Sequence, residues 1–267
     1  MKKTLFSLFR QWGKDFVNFL FPAECSVCHN FLKEGEKIIC EKCWNLVRKV
    51  EAPWCSICGR PLKKEEEREI CLLCEELPPL FTQARAGGIF EGTLAEAVHL
   101  LKYKRRISLA KRLAEMMAKS ISASPLYRAA DFLVSVPLHP SRIRERGYNQ
   151  SDLLTEQLSS LLGIGWSKKI LYRKKATASQ TKLKVEERRE NVKGAFAVYP
   201  VRNSLRCLSS WQISNGVKDK ESLVGKKVIL VDDVMTTGAT INACAEVLRE
   251  SGAKEVLALT AAVACTN

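Results

Sequence analysis

Several common sequence patterns are missing from this chain of 267 residues. No apolar run approaches the length needed to span a bilayer, so the sequence predicts no transmembrane helix. Neither the G-x-x-x-x-G-K-[ST] loop of a P-loop NTPase nor the G-x-G-x-x-G loop of a dinucleotide-binding domain is present. No helix-turn-helix pattern is visible either, which argues against a transcriptional regulator. These absences argue against a membrane-spanning helix, a P-loop nucleotide site and a Rossmann-type dinucleotide site.

Acidic residues are scarce relative to basic ones. The chain has 29 Asp and Glu against 43 Lys and Arg, a net charge of +14. Residues 1–80 hold 13 basic and 12 acidic residues, so nearly the whole excess, +13, belongs to the remainder. Such an excess predicts a polyanionic partner, either phosphates in a pocket or a nucleic acid.

The first 22 residues lack the features of a secretory signal. Arg10, Lys14 and Asp15 interrupt the apolar stretch, and no small-residue cleavage site follows. We predict an amphipathic helix over residues 1–22 that docks on its own protein, with contact to a membrane surface or a partner as the alternative. A cytoplasmic location is expected. The apolar face consists of Leu5, Leu8, Phe9, Trp12, Phe16 and Phe19.

Eight of the eleven cysteines lie in the first 74 residues as four C-x-x-C pairs. The pairs repeat at 30 to 31 residues, which indicates a tandem duplication. Two such pairs supply four thiolates for a closed tetrahedral zinc site. Iron is the minor alternative for the metal, and a disulfide framework is the alternative without a metal. We predict a double zinc ribbon with one structural zinc in each repeat, although crossed ligation between repeats is also compatible. The predicted ligands are Cys25, Cys28, Cys40, Cys43, Cys55, Cys58, Cys71 and Cys74.

Residues 228–240 read VILVDDVMTTGAT. Four apolar residues run into Asp232 and Asp233, as in a buried parallel strand. A helix-like segment, INACAEVLRESG, follows with Gly252 as its stop, and then KEVLALTAAVA reads as another strand. The pattern predicts a β-loop-α-β unit, whose ligand would bind beyond the carboxyl ends of the strands.

The short stretch after the two acids suits a phosphate group. A helix N-terminus offers unpaired N–H groups, Gly238 permits close backbone approach, and the hydroxyls of Thr236, Thr237 and Thr240 can donate to phosphate oxygens. The carboxylates would repel that phosphate, so they are expected to accept from neighbouring sugar hydroxyls. A phosphate at one end and neighbouring sugar hydroxyls at the other indicate that the ligand is a ribose 5-phosphate. The alternative is that no ligand binds and the segment is an ordinary strand that ends in a solvated acidic turn.

Two basic clusters precede this motif. Lys102, Lys104, Arg105 and Arg106, with Tyr103 among them, form either a solvated helix end or a phosphate contact with a stacking ring. After an apolar strand over residues 132–136, a basic loop is predicted to carry Arg142, Arg144 and Arg146, and a helix opens near Gln150 and Ser151. His139 lies between two prolines, and we interpret it as structural, with a general base as the alternative.

The motif over residues 228–240 resembles the phosphoribosyl diphosphate (PRPP) motif of type I phosphoribosyltransferases at nearly all thirteen positions. The resemblance implies that Asp232 and Asp233 contact the ribose and act in catalysis, with Mg²⁺ bound to PRPP. The implied PRPP-binding residues are Asp232, Asp233, Met235, Thr236, Thr237, Gly238, Ala239 and Thr240. The polar segment 173–196 takes the place of a flexible catalytic loop that closes over PRPP, with a solvated surface connection as the alternative. The implied candidates for the pyrophosphate and the loop are Arg142, Arg144, Arg146, Lys174, Lys175 and Gln180.

RERGYNQS, ATASQTKLKVEERRENVKGAF and LVDDVMTTGAT, together with the cysteine-rich ribbon, closely resemble the ComF family. This implies a type I phosphoribosyltransferase-like parallel sheet flanked by helices, over residues 82–267, preceded by a double zinc ribbon over residues 23–78. It also implies a link to DNA uptake in natural competence and to phosphoribosyl transfer, with no acceptor indicated. The alternative is a non-catalytic module that handles single-stranded DNA and uses PRPP as a regulatory ligand. Residues 199–223 depart from the family pattern as a longer insertion.

Overall fold

The computed structural model describes residues 22–63, 65, 67–175, 185–199 and 223–265. The helix predicted over residues 1–22 lies almost wholly outside the described residues, as do Gln180, Cys207 and most of the 199–223 insertion. The chain divides into two compact units, Met1–Val47 and Arg48–Asn267. This division falls between the two cysteine repeats.

The first unit contains one cysteine repeat, the first ribbon (residues 24–45). Glu24 pairs with Phe31, and the short helix α1, Glu41–Asn45, follows Cys40. Cys25 and Cys40 are buried, because the polypeptide folds around the sulfur atoms rather than around a large apolar core. A fold this small has little apolar surface to bury and depends on such a centre.

The second unit contains the other repeat, the second ribbon (residues 54–76), with helix α2 at Leu72–Glu76. This ribbon is joined to strand β1, Gln83–Ile89, through the Ala84 amide, which donates to Ile57 O at 2.6 Å. Gly59 has a φ of +68° there, and a Cβ at this position would lie 2.6 Å from Ala84 O. Only glycine permits this close approach of two backbones.

A five-stranded sheet forms the centre of the second unit. Its order is β1-β7-β6-β2-β3, with every neighbouring pair parallel. β6 and β7 lie inside it and are almost entirely buried, which explains their continuous apolar sequences. A separate antiparallel pair is formed by β4 and β5. The remaining strands are β2 at Phe132–Ser135, β3 at Trp166–Ser167, β4 at Leu171–Arg173, β5 at Phe196–Val198, β6 at Lys227–Met235 and β7 at Glu255–Val263.

Several helices pack against the sheet. α4 is amphipathic: Leu109, Leu113 and Met117 recur at four-residue spacing and are buried. The helices are α3 at Gly92–Tyr103, α4 at Leu109–Ile121, α5 at Pro125–Arg128, α6 at Pro140–Arg146, α7 at Gln150–Leu162, α8 at Val185–Val192 and α9 at Ala239–Glu250. The β6-α9-β7 unit and the parallel sheet confirm the predicted fold class. Among the described residues, no helix is both long and apolar enough to cross a bilayer.

One local prediction is wrong. The basic stretch after β2, which we expected to be a loop, forms the helix α6. Pro140 at its first turn has a suitable φ, and His139 caps it, because its Nδ1 accepts from Ser141 N at 3.2 Å. Gly147, with a φ of +89°, ends the helix. His139 therefore has the structural role that we favoured.

Candidate functional site

The two acids of β6 lie at the carboxyl end of the sheet, where ligands bind in folds of this type. Asp232 is 8% exposed and Asp233 is 4% exposed. Asp232 lies beside Thr260 of β7, so the ladder continues past both acids to Met235. Two buried carboxylates at adjacent positions are costly unless other groups compensate their charge.

Asp232 is held by hydrogen bonds from two sides. Its Oδ1 accepts from Ser151 Oγ at 2.9 Å and from the Asp233 amide at 2.9 Å. Ser151 is fully buried in the first turn of α7, and its amide donates to the cap residue Asn149. The start of α7 therefore orients one of the two acids.

Asp233 forms an ion pair with a helix that is distant in sequence. Lys102 Nζ, near the end of α3, lies 2.8 Å from Asp233 Oδ1. The other oxygen, Asp233 Oδ2, is buried and has no hydrogen-bond partner within the described part of the chain. Buried carboxylate oxygens are normally satisfied, so this atom keeps an unused capacity to accept a hydrogen bond.

Burial dominates the electrostatics of the pair. It raises the pKa of Asp232 to about 7, and the negative charge of Asp233 acts in the same direction, while Lys102 opposes both. Burial alone would lower the pKa of Lys102, but the charges of Asp233 and Asp232 outweigh it and raise that pKa. Lys102 therefore stays protonated and neutralises part of the site.

The 236–240 loop joins β6 to α9. Gly238 adopts a φ of +83° as the cap of α9, and Thr237 Oγ1 accepts from Ala239 N at 3.3 Å. The first amide groups of a twelve-residue helix face the space beyond the loop. The Met235 side chain is 1% exposed and packs in the core, so Met235 supports the loop from beneath.

The two basic clusters meet beside this site. The Arg146 guanidinium lies over the Tyr103 ring at 4.9 Å from its centre, and Arg146 also donates to Gln150. The Arg105 side chain packs against Gly147. Arg142 is paired with Glu145 at 2.9 Å, and Arg144 is exposed. Of the three arginines predicted to bind pyrophosphate, Arg146 is the one in contact with the last residue of α3, next to Lys102.

The remaining predicted cations lie on the β4–β5 hairpin. The Lys174 amide donates to Ala195 O, and Lys175 Nζ lies 3.5 Å from Lys193 O. These contacts place both lysines directly before residues 176–184, which the structure does not describe. Their predicted contact with pyrophosphate stays a prediction.

For three residues of the site, sequence reasoning missed the contacts that the structure shows. The pairing of Lys102 with Asp233 was not predicted, because it depends on the packing of α3. Ser151 carried only the signal of a helix start. Arg173, at the end of β4, is half-buried: burial lowers its pKa, and the charges of Asp232 and Arg142 act on it in opposite directions. Its position before a basic run gave no indication of this proximity.

The cysteines form two clusters that follow the repeats. Within each cluster, the four sulfur atoms all lie within 4.8 Å of one another. One cluster is Cys25, Cys28, Cys40 and Cys43, and the other is Cys55, Cys58, Cys71 and Cys74. Three of the S–S distances, Cys25–Cys43, Cys28–Cys40 and Cys58–Cys71, are 3.8, 3.7 and 3.5 Å. A tetrahedral zinc with bonds of about 2.3 Å has edges of about 3.8 Å, whereas a disulfide bond is about 2.05 Å long. The residues fit one zinc in each repeat and do not fit a disulfide framework.

Two other cysteines are described. Cys244 is buried in α9, and Cys265 is exposed with its sulfur 3.9 Å from Arg48 Nη2. Neither belongs to one of the two four-cysteine clusters.

Known protein families match both the cysteine-rich segment and the segment that contains β6 and β7. A family model of the double zinc ribbon domain matches residues 16–75, and one of the phosphoribosyl transferase domain matches residues 154–265. The DNA utilization protein YhgH of Salmonella typhimurium is 31% identical over 239 residues, covering 88% of this chain and 94% of that protein. Competence protein F of Haemophilus influenzae is 27% identical over 243 residues, covering 90% and 96%.

Solved structures give a weaker likeness. The adenine phosphoribosyltransferase of Thermoanaerobacter pseudethanolicus is 14% identical and aligns over 59% of this chain and 82% of that one, with a TM-score of 0.31. At that score the likeness adds nothing to the fold assignment, which rests on the sheet order and the family models.

Proposed function

Because the chain belongs to the ComF family of competence and DNA utilization proteins, we propose that it binds PRPP at the carboxyl end of β6 and transfers the 5-phosphoribosyl group to an acceptor. The observation that carries this proposal is the buried Asp233 Oδ2, which lacks a partner among the described residues and lies three residues before the 236–240 loop. An unsatisfied buried acceptor beside a helix N-terminus suits a ligand with a hydroxyl next to a phosphate.

Each part of the site has a role in this proposal. The 236–240 loop and the first turn of α9 bind the 5-phosphate, while Asp232 and Asp233 accept from the ribose hydroxyls. Lys102 and Arg146 supply positive charge for the diphosphate. Mg²⁺ would be held mainly by diphosphate and ribose oxygens, where it neutralises the leaving group.

The proposed transfer is a displacement at the anomeric carbon. The bond from this carbon to the diphosphate oxygen breaks, and its electron pair leaves with the diphosphate. The acceptor donates a pair to form the new bond. Asp232 and Asp233 stabilise the positive charge that develops on the sugar, because fixed carboxylates in a site of low dielectric act more strongly than water does.

Calorimetric titration of the zinc-loaded protein with Mg²⁺-PRPP tests the binding step. We expect saturable binding that becomes at least about a hundredfold weaker in Asp232→Asn/Asp233→Asn, since each substitution replaces a charge-assisted hydrogen bond by a neutral one. Asp131→Asn, at the opposite end of the sheet, should bind as the wild type does. A folded wild-type protein that shows no saturation would refute the proposal.

A second candidate function is the handling of single-stranded DNA without chemistry. The observation that favours it is Tyr103, which is 56% exposed and lies among Lys104, Arg105 and Arg106 with Arg146 over its ring. An exposed ring among cations suits stacking of a base while the cations contact phosphates. In this reading PRPP would be a regulatory ligand, and Tyr103→Ala should weaken binding of an oligonucleotide by a larger factor than it weakens PRPP binding.

A further inference from the structure

Arg60 is a buried arginine that neither the cysteine pattern nor the PRPP motif accounts for. It lies two residues after Cys58 in the second ribbon and is 4% exposed. Lysine and arginine are rarely buried so fully unless their donors are used. Its contacts therefore indicate what the residue is for.

The guanidinium of Arg60 reaches three acceptors. Nη1 donates to Cys58 Sγ at 3.5 Å, Nε donates to Ala264 O at 3.4 Å, and Nη2 donates to Thr236 O. Ala264 follows the end of β7, and its own amide donates to Met235 O at 2.9 Å. Arg60 thus joins a sulfur of the second four-cysteine cluster to the ends of both central strands.

The contact with Thr236 is the informative one, because Thr236 is the first residue of the 236–240 loop. Its carbonyl follows β6, where the ladder with β7 has just ended at Met235 and Val263. A carbonyl at this point needs a partner from outside the sheet, and the planar guanidinium supplies it. The conformation of the loop is thereby tied to the second ribbon.

We infer that Arg60 is a positioning residue through which the metal-loaded second ribbon holds the 236–240 loop in the conformation that binds a phosphate. Binding of zinc by the four cysteines would fix the backbone around Cys58, and with it the guanidinium. Loss of the metal would release both. The cysteine ribbon is then more than a stabilising appendage: its metal content sets the affinity of the loop for its ligand. The affinity part of this inference rests on the proposed binding of PRPP.

The test compares Arg60→Met with Arg68→Met. Arg68 belongs to the same ribbon but is exposed and pairs with Glu75 at 3.4 Å, so it is a matched control. Three quantities are measured on the full chain: zinc per chain, amide hydrogen exchange of residues 236–242, and the Kd for Mg²⁺-PRPP. The exchange measurement needs no ligand, so it separates a failure of this inference from a failure of the proposed function.

For Arg60→Met we expect unchanged zinc content, at least about tenfold faster exchange in residues 236–242, and at least about tenfold weaker PRPP binding. Arg68→Met should match the wild type in all three. Removal of zinc from the wild type by a chelator should reproduce the faster exchange. If Arg60→Met loses zinc, Arg60→Lys is measured instead, because it keeps the charge but lacks the fork that reaches several acceptors.

A zinc-loaded Arg60 variant whose exchange in residues 236–242 equals that of the wild type would overturn the inference. If that variant binds PRPP with the wild-type Kd, within about twofold, the claim that Arg60 sets the affinity for PRPP is overturned. If the wild type itself binds no PRPP, the exchange result alone decides whether Arg60 holds the loop.

Discussion

Asp232 is a residue whose burial opposes the charge that its proposed role requires. Its pKa of about 7 lies well above the ordinary value, because burial and the neighbouring Asp233 both disfavour the ionised form. Unfolding relieves this conflict. The folded chain therefore binds a proton that the unfolded chain releases near pH 4, and the stability associated with Asp232 is lost as the pH rises through 7.

Asp232→Asn should consequently make the protein more stable at high pH. At pH 8 the wild-type residue is ionised in the folded state. Its replacement by a neutral amide should raise the free energy of unfolding by on the order of 2–4 kcal/mol, and with it the midpoint of thermal unfolding by several degrees. At pH 4.5 the wild-type side chain is protonated when folded but mostly ionised when unfolded, so the difference should fall to about 1 kcal/mol. Thermal unfolding at the two pH values measures both quantities.

Asp131→Asn is the control, with the opposite sign. The Lys227 amide donates to Asp131 at 2.7 Å and lowers the pKa of its carboxyl, and Lys226 acts in the same direction. The stability that Asp131 contributes is present above its unfolded pKa and is lost as the pH falls. The asparagine variant should therefore unfold at a lower temperature at pH 8. Equal effects of the two substitutions would contradict this account of the acid pair.

The loop between β6 and α9 is the element in which backbone conformation bears most directly on the proposed site. Gly238 requires a φ of +83°, although a Cβ there would meet only ordinary contacts at 3.9 Å. Substitution is thus penalised by conformation and not by space. Non-glycine residues in this region cost about 1–2 kcal/mol.

Gly238→Ala should lower the stability by about 1–2 kcal/mol and weaken PRPP binding by about tenfold or more, because the loop relieves its strain by moving. Gly225→Ala is the matched control, since Gly225 has a φ of +76° and open space around it, in the turn before β6. It should lose similar stability while retaining full PRPP affinity. Denaturant unfolding and calorimetric titration distinguish the two effects.

The two ribbons are elements whose metal pairing can be read from zinc content. The structure groups the sulfur atoms by repeat. Cys28→Ser/Cys40→Ser removes two ligands of one cluster and should therefore cost one zinc per chain. Cys28→Ser/Cys71→Ser removes one ligand from each cluster and should cost both. Crossed ligation requires the first double variant to lose two zinc ions, so metal analysis of the purified proteins decides between the arrangements.

The charge of the whole molecule bears on the second candidate function. Residues after position 80 carry an excess of +13, and Lys104 and Arg106 belong to the cluster beside the acid pair. If single-stranded DNA binds there with four or more phosphate contacts, its affinity should fall by more than about tenfold between 50 and 200 mM salt, because counterions are released.

Charge removal at two positions locates that surface. Lys104→Gln/Arg106→Gln should weaken oligonucleotide binding and flatten its salt dependence. Lys226→Gln/Lys254→Gln removes the same charge near the amino ends of β6 and β7 and should leave binding unchanged. Fluorescence anisotropy with a labelled oligonucleotide measures both. Equal losses in the two variants would mean that only net charge matters.

Many features of this molecule follow from short, contiguous stretches of its sequence. Apolar runs buried on both faces predict β6 and β7, since a strand inside a parallel sheet contacts helices on each side. The spacing of the cysteine pairs predicts two metal clusters, because ligands two residues apart share one turn. The acids and the loop after β6 are contiguous, so residues 228–240 already contain the proposed phosphate and ribose contacts.

Other features depend on residues that are far apart in the chain. Lys102 meets Asp233 only because α3 packs near the end of β6, and Ser151 reaches Asp232 only because α7 begins there. Arg60 touches Thr236 across 176 positions. Sequence periodicity reports which face of an element is apolar, not which element lies opposite. The sequence by itself therefore determined the fold class, the two groups of four cysteines and the segment that carries the proposed site. The tertiary structure alone decided which side chains orient, neutralise and hold that segment, because packing between distant segments sets those contacts.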